Sequence, residues 1–362
     1  MAKDISSFRD KIDDIDNRML ELLNERAGYA KEIAESKAEK NAPIYVPRRE
    51  IEIINRLITR NKGPMNKEGV ESVFREIISA CRALEHQLVI SYLGPAGTFT
   101  HEAANKKFGN SAQYMPVRNF AKIFQHVQNG DSDYGVVAIE NSIEGVVNST
   151  MDMLLESNLH ICGEIYLNIS HNLFANCKMD EIERVYSHPQ GIAQCRIWLG
   201  QNLPNAETLE VSSTSKGVEL ASKEKRSAAI GSMIAGQMYG VDILARGIED
   251  KHDNTTRFLI ISRTPVEKSS NDRTSLILFL KNVPGALYKA LIPFQEAEIN
   301  LTRIESRPTK KENWQYMFYI DFEGHASDPK VLGVLEKLKE NCLYIKNLGS
   351  YPQEESPPSQ WL

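Results

Sequence analysis

Apolar residues near the N-terminus return at alternating steps of three and four: Ile5, Phe8, Ile12, Ile15, Met19 and Leu22. That spacing is a heptad seam on one long helix. It continues through Tyr29 and Ile33 to about Lys40, where Asn41 and Pro43 stop it. A helix from Asp4 to Lys40 would be about 55 Å long at ~1.5 Å per residue. A domain of this size has no core long enough to cover such a seam, so pairing of two long helices in a dimer is expected. Pro47 suits the first turn of a second helix carrying Ile51, Ile54, Leu57 and Ile58, which Gly63 and Pro64 end. A third helix shows Val70, Val73, Phe74, Ile77, Ile78, Cys81 and Leu84 on one stripe. Residues 1–88 therefore read as an all-α, three-helix domain.

The pattern changes at Leu88. Strand-like runs (88–93, 134–139, 184–186, 228–230 and 258–261) alternate with helical stretches up to about Ser262. An α/β domain over 89–264 with a substantially parallel sheet is expected, long enough for two lobes and a cleft. Thr264 to Asp272 is a polar linker. The next strand, helix, two strands, helix and strand over 273–352 form the βαββαβ order of a ferredoxin-like α+β unit. The tail, 353–362, holds Pro357 and Pro358 and is expected to be disordered.

A chain of 362 residues exceeds one ordinary domain, in line with this multidomain division. A net charge of −5 argues against a general nucleic-acid or membrane binder. No apolar run approaches the roughly 18 residues a membrane span needs, and the amphipathic start is unlike a signal peptide. The five cysteines are scattered, without a CxxC pair, and there is no HExxH. Reduced thiols in a cytoplasm, no metal and no cofactor are the expectation.

Chemistry in the helical segment centres on cations. Arg26 interrupts the seam, where the bland alternative is an arginine that snorkels or pairs with a carboxylate. Lys37 lies eleven residues on, projecting from the same face about 17 Å away. Arg9 lies about 26 Å from Arg26 and about 100° around the helix, within reach of a shared ligand only from a partner helix. Arg49 and Glu50 open the second helix, and Cys81 and Glu85 share a face of the third. Arginines with a lysine in a helical cavity suit a compact dianion. These residues, in this layout, resemble the helical chorismate mutase family, an intertwined dimer. The resemblance implies that Arg9 of one subunit, with Arg26 and Arg49 of the other, binds the carboxylates of chorismate. Lys37 would donate to the ether oxygen, Glu50 would bind the ring hydroxyl, and Cys81 would lie at the site. Glu85 stands where that family often has a glutamine donor, and a carboxyl group donates only when protonated.

The central segment carries five separated motifs. Gly94-Pro95-Ala96-Gly97-Thr98-Phe99-Thr100 turns a strand into a helix and could hold an anion on its amides. It is not a dinucleotide fingerprint. Glu140-Asn141-Ser142 and Ser187-His188-Pro189-Gln190 close strands at their carboxyl ends. His188 reads equally as a cleft residue or a turn residue. Ser212-Ser213-Thr214-Ser215 opens a helix, with simple N-capping as the plainer reading. Asn254-Thr255-Thr256-Arg257-Phe258 precedes a last strand. In this order the motifs resemble prephenate dehydratase from Ile90 to about Ser262. That implies a two-lobed fold like periplasmic binding proteins, with Thr256 giving the proton that lets the ring hydroxyl leave as water. Glu140, Asn141, Ser187, Gln194, Ser213 and Thr214 would line the cleft, and Arg257 would bind a substrate carboxylate. The group that polarises Thr256 is not identified by sequence.

In the last segment Gly285-Ala286-Leu287 opens a helix, and Asn300 starts a strand ending in Glu305-Ser306-Arg307-Pro308. The unit resembles an ACT domain with the motifs of phenylalanine-responsive dehydratases. Phenylalanine would lie against Gly285, Ala286, Leu287, Asn300, Glu305, Ser306, Arg307 and Pro308, where two such domains pair. Chorismate, prephenate and phenylalanine are the implied ligands, in a homodimer or larger homo-oligomer. A mutase fused to prephenate dehydrogenase would need the missing dinucleotide motif. A non-catalytic two-lobed solute sensor would not need the hydroxyl of Thr256.

Overall fold

In a computed structural model, residues 5–39, 45–308 and 316–354 of the chain are described, and they divide into two units. The first comprises residues up to 88 together with 108–113. Its helices are α1 (Ile5–Glu39), α2 (Pro47–Arg60) and α3 (Lys67–Glu85). Pro47 stands in the first turn of α2, and the Asn66 side chain caps α3 by accepting from Gly69 N–H. Both are the terminus chemistry these residue types favour. The seam of α1 is left open within one chain: Ile5, Phe8, Ile12, Ile15, Met19 and Leu22 are all exposed, Ile5 at 67%. The buried part of the unit gathers around α3. Arg82 is 7% exposed, its guanidinium 5.2 Å from the ring centre of Tyr45 and 6.0 Å from that of Phe108. It pairs with Glu50 and donates to Phe108 O at 2.6 Å.

The second unit begins with β1 (Val89–Leu93), α4 (Phe99–Phe108), β2 (Gln113–Val117), α5 (Phe120–Asn129), β3 (Tyr134–Asn141), β4 (Gly145–Val146), α6 (Asn148–Glu156) and β5 (His160–Asn168). The chain then crosses to a second lobe. That lobe holds β6 (Asn172–Ala175), β7 (Arg184–Ser187), α7 (Pro189–Gln194), α8 (Arg196–Asn202), β8 (Glu207–Glu210), α9 (Thr214–Lys223), β9 (Ser227–Gly231), α10 (Met233–Tyr239) and β10 (Ile243–Ala245). It returns as β11 (Thr255–Ser262), which enters the first sheet between β3 and β5.

The sheets are mixed rather than substantially parallel. β1 and β3 are parallel, but β11 runs antiparallel to both β3 and β5. In the second lobe β7 is parallel to β8 and β9, while β6 is antiparallel to β9 and β10. The reason is the double crossing. A strand that comes back from the other lobe arrives from the opposite end of the sheet. The two crossing segments are bonded to each other, Ile169 N–H to Asn254 O at 2.7 Å and Ile248 N–H to His171 O at 2.8 Å.

The last part is β12 (Asp272–Leu280), α11 (Ala286–Glu296), β13 (Leu301–Pro308), β14 (Tyr316–Glu323), α12 (Pro329–Asn341) and β15 (Cys342–Pro352), with strand order β13-β14-β12-β15. One sheet face, with Leu276, Leu278, Ile320 and Phe322, is covered by α11 and α12. The alternate residues Ile277, Met317, Tyr319, Leu348 and Tyr351 join the core of the first lobe, packing with Ile161 and Leu259. β15 lies so close to β5 that a Cβ at Gly349, whose φ is +136°, would sit 2.3 Å from Ile161 O. At the start of the tail Gln353 N–H donates to Asn271 O at 3.0 Å, and Glu354 pairs with Lys107. The remainder of that tail lies outside the described residues.

Between sheet and lobe lies a buried charge cluster. Arg257 on β11 donates to Glu164 of β5 at 2.8 Å, to Asp321 of β14 at 2.5 Å and to the Tyr351 hydroxyl of β15 at 3.0 Å. Arg273 of β12 reaches the same Glu164 at 2.6 Å. Both carboxylates are wholly buried. Removing one partner of such a set strands a buried charge, so Arg257→Met should cost about 3–5 kcal/mol of stability. Denaturant unfolding of the two proteins checks this, and a loss below ~1 kcal/mol would mean the cluster is solvated.

Candidate active site

The ends of β3 and β11 meet the crossing segments, and a chain of side chains forms there whose hydrogen-bond directions are all determined. It starts from backbone. Ile143 N–H and Glu144 N–H donate to Asn141 Oδ1 at 3.0 and 2.9 Å. Asn141 must therefore present its NH2 on the other side, where it donates to Asn254 Oδ1 at 2.6 Å and to Thr256 Oγ at 2.8 Å. Asn254 in turn donates through Nδ2 to Gln194 Oε1 at 3.0 Å. The same oxygen lies 2.8 Å from His171 Nε2, and since a carbonyl oxygen only accepts, that nitrogen carries the proton. Thr256 Oγ thus accepts from Asn141 and keeps its own proton to give. Asn254, Thr256 and His171 are 2%, 8% and 2% exposed. Burial lowers the basicity of His171 and keeps it neutral, against weaker opposing effects of Gln194 and Glu249.

The second lobe closes the group. A Cβ placed on Gly191 would lie 2.6 Å from Ser187 Oγ, 3.5 Å from Thr214 Cγ2 and 3.6 Å from His171 Cε1, so these three residues converge on one spot. Phe99 meets the His171 ring edge-on at 5.3 Å. The loop before α4 is held by that lobe as well: Ser215 donates to Ala96 O, and Ser232 to Gly97 O at 2.7 Å. Ser213 caps α9 by accepting from Lys216 N–H at 3.0 Å, and His188 caps α7 by accepting from Gln190 N–H at 3.3 Å. The turn reading of His188 is therefore the one its contacts favour.

Two residues expected in the cleft have their side chains engaged elsewhere. Arg257 alternates with Thr256 along β11 and points to the opposite face, where its three nitrogens are engaged by Glu164, Asp321 and Tyr351. Ser187 is fully buried and donates to Ile230 O at 3.0 Å, so it supports the cleft from beneath. Glu140 faces outward from the chain of amides, with Arg303 Nη1 of β13 2.8 Å from its Oε2. That guanidinium also lies 5.4 Å from the Tyr319 ring centre. Four residues on along β13, Arg307 pairs with Asp152 at 2.7 Å and donates to Asn148 O at 2.8 Å. Asn254, His171 and Arg303 were missed as site residues by sequence. Asn254 was legible as part of its motif, but the other two carry no local signal.

In the helical unit, Lys37 Nζ lies 3.8 Å from Glu85 Oε2, both partly buried. Cys81 is buried and Arg26 half-buried. Arg9 and Arg49 are exposed, Arg49 lying 3.7 Å from Glu52. Glu50 is held by Arg82, a partner that the sequence reading did not find.

In the third sheet, Gly285 takes a left-handed conformation (φ +76°) just before Ala286 and Leu287 open α11. Asn300 donates to Glu323 at 3.2 Å. Phe279, Met317 and Arg307 pair across β12, β14 and β13. The end of β12 that leads into the Gly285 turn and the Glu305–Pro308 strand end consequently share one end of the sheet, with β12 and β13 about 10 Å apart at ~4.8 Å per strand. Among the described residues no cluster of His, Cys, Asp or Glu could hold a metal ion, and no helix is long and apolar enough to cross a membrane.

Comparison with known proteins places three family models in sequence along the chain. They are chorismate mutase type II over residues 8–86, prephenate dehydratase over 90–266 and the ACT domain over 274–340. A bifunctional chorismate mutase/prephenate dehydratase of Aquifex aeolicus is 46% identical, covering 97% of this chain and 98% of its own. A solved prephenate dehydratase from Arthrobacter aurescens in complex with L-Phe is 33% identical with a TM-score of 0.68, over 75% of this chain and 92% of its own. A solved protein described as GqqA, a novel type of quorum quenching acylase, is 29% identical with a TM-score of 0.68, over 74% and 98%.

One carboxyl in the first lobe is strongly perturbed. Glu102, one turn beyond Phe99 on α4, has an Oε2 without a hydrogen-bond partner among the described residues. Burial raises its pKa from 4.5 to about 7, with Lys106 opposing. A raised folded-state value means the contribution to stability is complete below pH 4.5 and is lost as pH rises through about 7. Glu102→Gln should therefore unfold like wild type near pH 4 and be the more stable protein at pH 8, by up to about 3 kcal/mol. Equal stability of the two at pH 8 in denaturant would place that carboxyl in water.

Proposed function

The chain belongs to the family of bifunctional chorismate mutase/prephenate dehydratases, and on that footing we propose how its residues divide the two reactions and their control. It rearranges chorismate to prephenate, and dehydrates and decarboxylates prephenate to phenylpyruvate. The observation that carries the residue assignment is the directed hydrogen-bond chain that ends on Thr256 Oγ. We take residues 1–88 as the mutase domain, 89–264 as the dehydratase and 273–352 as the regulatory domain.

In the dehydratase, prephenate loses its ring carboxylate as carbon dioxide, and the electron pair moves into the ring as the C–OH bond breaks. One proton must join the departing hydroxyl to make water. Thr256 gives the hydrogen bond, and Asn141 is its helper. A hydroxyl that accepts a hydrogen bond becomes a better donor. The amide cannot turn around, because its own oxygen is tied to two backbone N–H groups. Gln194 and Thr214 face the same space and bind the substrate, with Ser213 and Ser187 shaping its floor. Arg257 acts in structure rather than on substrate.

In the mutase, no nucleophile is needed. The protein holds the folded conformer and stabilises charge on the breaking ether oxygen. Lys37 donates there, and Glu85, close beside it, adds a second donor when protonated. Arg26 and Arg49, with Arg9 of a second subunit, take the two carboxylates, and Glu50, braced by Arg82, meets the ring hydroxyl. The exposed seam of α1 supports this reading of a homodimer, since a contiguous apolar stripe of that length calls for a partner. The five cysteines, four of them buried and none in a disulfide, fit a reducing cytoplasm.

Phenylalanine is the effector of the ACT domain. It occupies the sheet end that leads from β12 to Gly285, Ala286 and Leu287 and holds Glu305, Ser306, Arg307 and Pro308, and a second copy completes the site with Asn300, which precedes β13 at its far end. The route to the cleft is short. β13 carries Arg303 to Glu140, and Glu140 is the chain neighbour of Asn141. A shift of β13 on ligand binding moves the strand end that aligns Thr256, a population shift between two states of the enzyme.

Three outcomes follow. Thr256→Ala should abolish phenylpyruvate formation while chorismate is still converted to prephenate. Undiminished phenylpyruvate would remove Thr256 from the chemistry. Mixing Arg9→Ala with Arg26→Ala subunits should restore part of the mutase activity that each lacks, because a hybrid dimer holds one intact site. No recovery despite measured subunit exchange refutes the shared site. Phenylalanine should raise the melting temperature of the full chain and inhibit dehydration. Glu305→Ala should reduce both responses and spare basal turnover. An unaltered response in that variant would move the effector elsewhere.

A further inference from the structure

His171 belongs to neither the mutase motifs nor the five dehydratase motifs, yet it is almost fully enclosed at the crossing between the lobes, 2% exposed. Its backbone N–H donates to Glu249 Oε2 at 2.8 Å, its ring rests against Phe99, and its Nε2 is 2.8 Å from Gln194 Oε1. Since Asn254 donates to that same oxygen, both acceptor positions of the Gln194 carbonyl are filled, one from each crossing segment. Gln194 cannot flip its amide without setting its NH2 against two donors. Gln194 Nε2 is then the uncommitted end of the network: it is buried and, among the described residues, has no hydrogen-bond partner. An amide N–H left unpaired in a polar cleft costs about 1–3 kcal/mol unless something accepts from it. Oxygen-rich dianions such as prephenate are well suited to do so.

We propose that His171 is a positioning residue of the dehydration, holding the Gln194 amide so that its N–H donors face the oxygen atoms of prephenate. The inference rests on the dehydratase reading of this cleft. It gives the histidine no part in proton transfer. The neutral ring donates through Nε2, fixes one amide orientation and touches no reacting atom. Its place in the crossing segment adds a consequence. Gln194 belongs to α7 of the second lobe and Asn254 to the return segment, so the amide is correctly aimed only when the lobes stand as they do here.

Position-specific substitutions separate this role from simple packing. His171→Gln keeps a nitrogen donor near the place of Nε2, whereas His171→Phe keeps a ring without a donor. His171→Asn is polar but too short. Dehydratase kinetics with prephenate should show a loss in kcat/KM on the order of 10²-fold for His171→Phe and His171→Asn. Much of that loss should appear in KM, because ground-state contacts are lost too. His171→Gln should recover most of it. In a Gln194→Ala background, His171→Phe should add little further loss, because residues acting through one contact are not additive. Mutase turnover and melting temperature, measured on the same preparations, verify that each variant is folded. The Asn and Gln variants repeat the comparison if the Phe variant is not. Fully additive losses, a Gln variant as poor as the Asn variant, or unimpaired Gln194→Ala turnover would each overturn the inference alone. A wild-type chain forming no phenylpyruvate from prephenate would overturn the reading beneath it.

Discussion

Arg257 is the residue on which the second unit depends. Its side chain is almost wholly enclosed, yet it carries a full charge: burial works against that charge, and Asp321, Tyr351 and Glu164 together outweigh burial and raise its pKa. Five strands meet at this point: β5 and β11 of the first lobe, and β12, β14 and β15 of the last sheet. A buried charge is tolerated only with good geometry on every side. The cluster therefore specifies one register for β11 against the sheet that follows. Since Thr256 is the preceding residue in the chain, the same register determines where its hydroxyl stands.

This arrangement joins regulation to chemistry through two neighbouring strand residues facing opposite ways. Thr256 faces the cleft and Arg257 the regulatory sheet, as the alternation of a strand requires. β3 repeats the device beside it, with Asn141 directed to Thr256 and Glu140 to Arg303. The regulatory sheet thus grips both strands that supply the cleft, each at the residue adjoining the functional one.

The cleft itself is built of amides rather than charges. Asn141, Asn254 and Gln194 form a directed chain anchored on two backbone N–H groups, with neutral His171 at the far end. Such groups suit a reaction in which a dianion must be oriented without being held too tightly and a weakly acidic hydroxyl must be aimed. The site lies in side chains at the crossing, while the lobes beneath them are general.

Local pattern determined much of this protein. The heptad seam of α1, the helix start at Pro47, the βαββαβ order of the last segment and the motif residues Asn141, Gln194 and Thr256 all follow from spacing, residue type and family likeness, because periodicity and turn chemistry act within a few residues. Only the tertiary structure decided that β11 returns antiparallel, that Arg257 turns from the cleft to Glu164 and Asp321, that Arg82 braces Glu50, and that His171 and Asn254 orient Gln194. Those outcomes depend on partners tens to more than a hundred residues away. A strand's direction is determined by where the chain re-enters a sheet, and a buried charge or amide takes its role from whatever stands opposite it in space, neither of which is written in its neighbours along the chain.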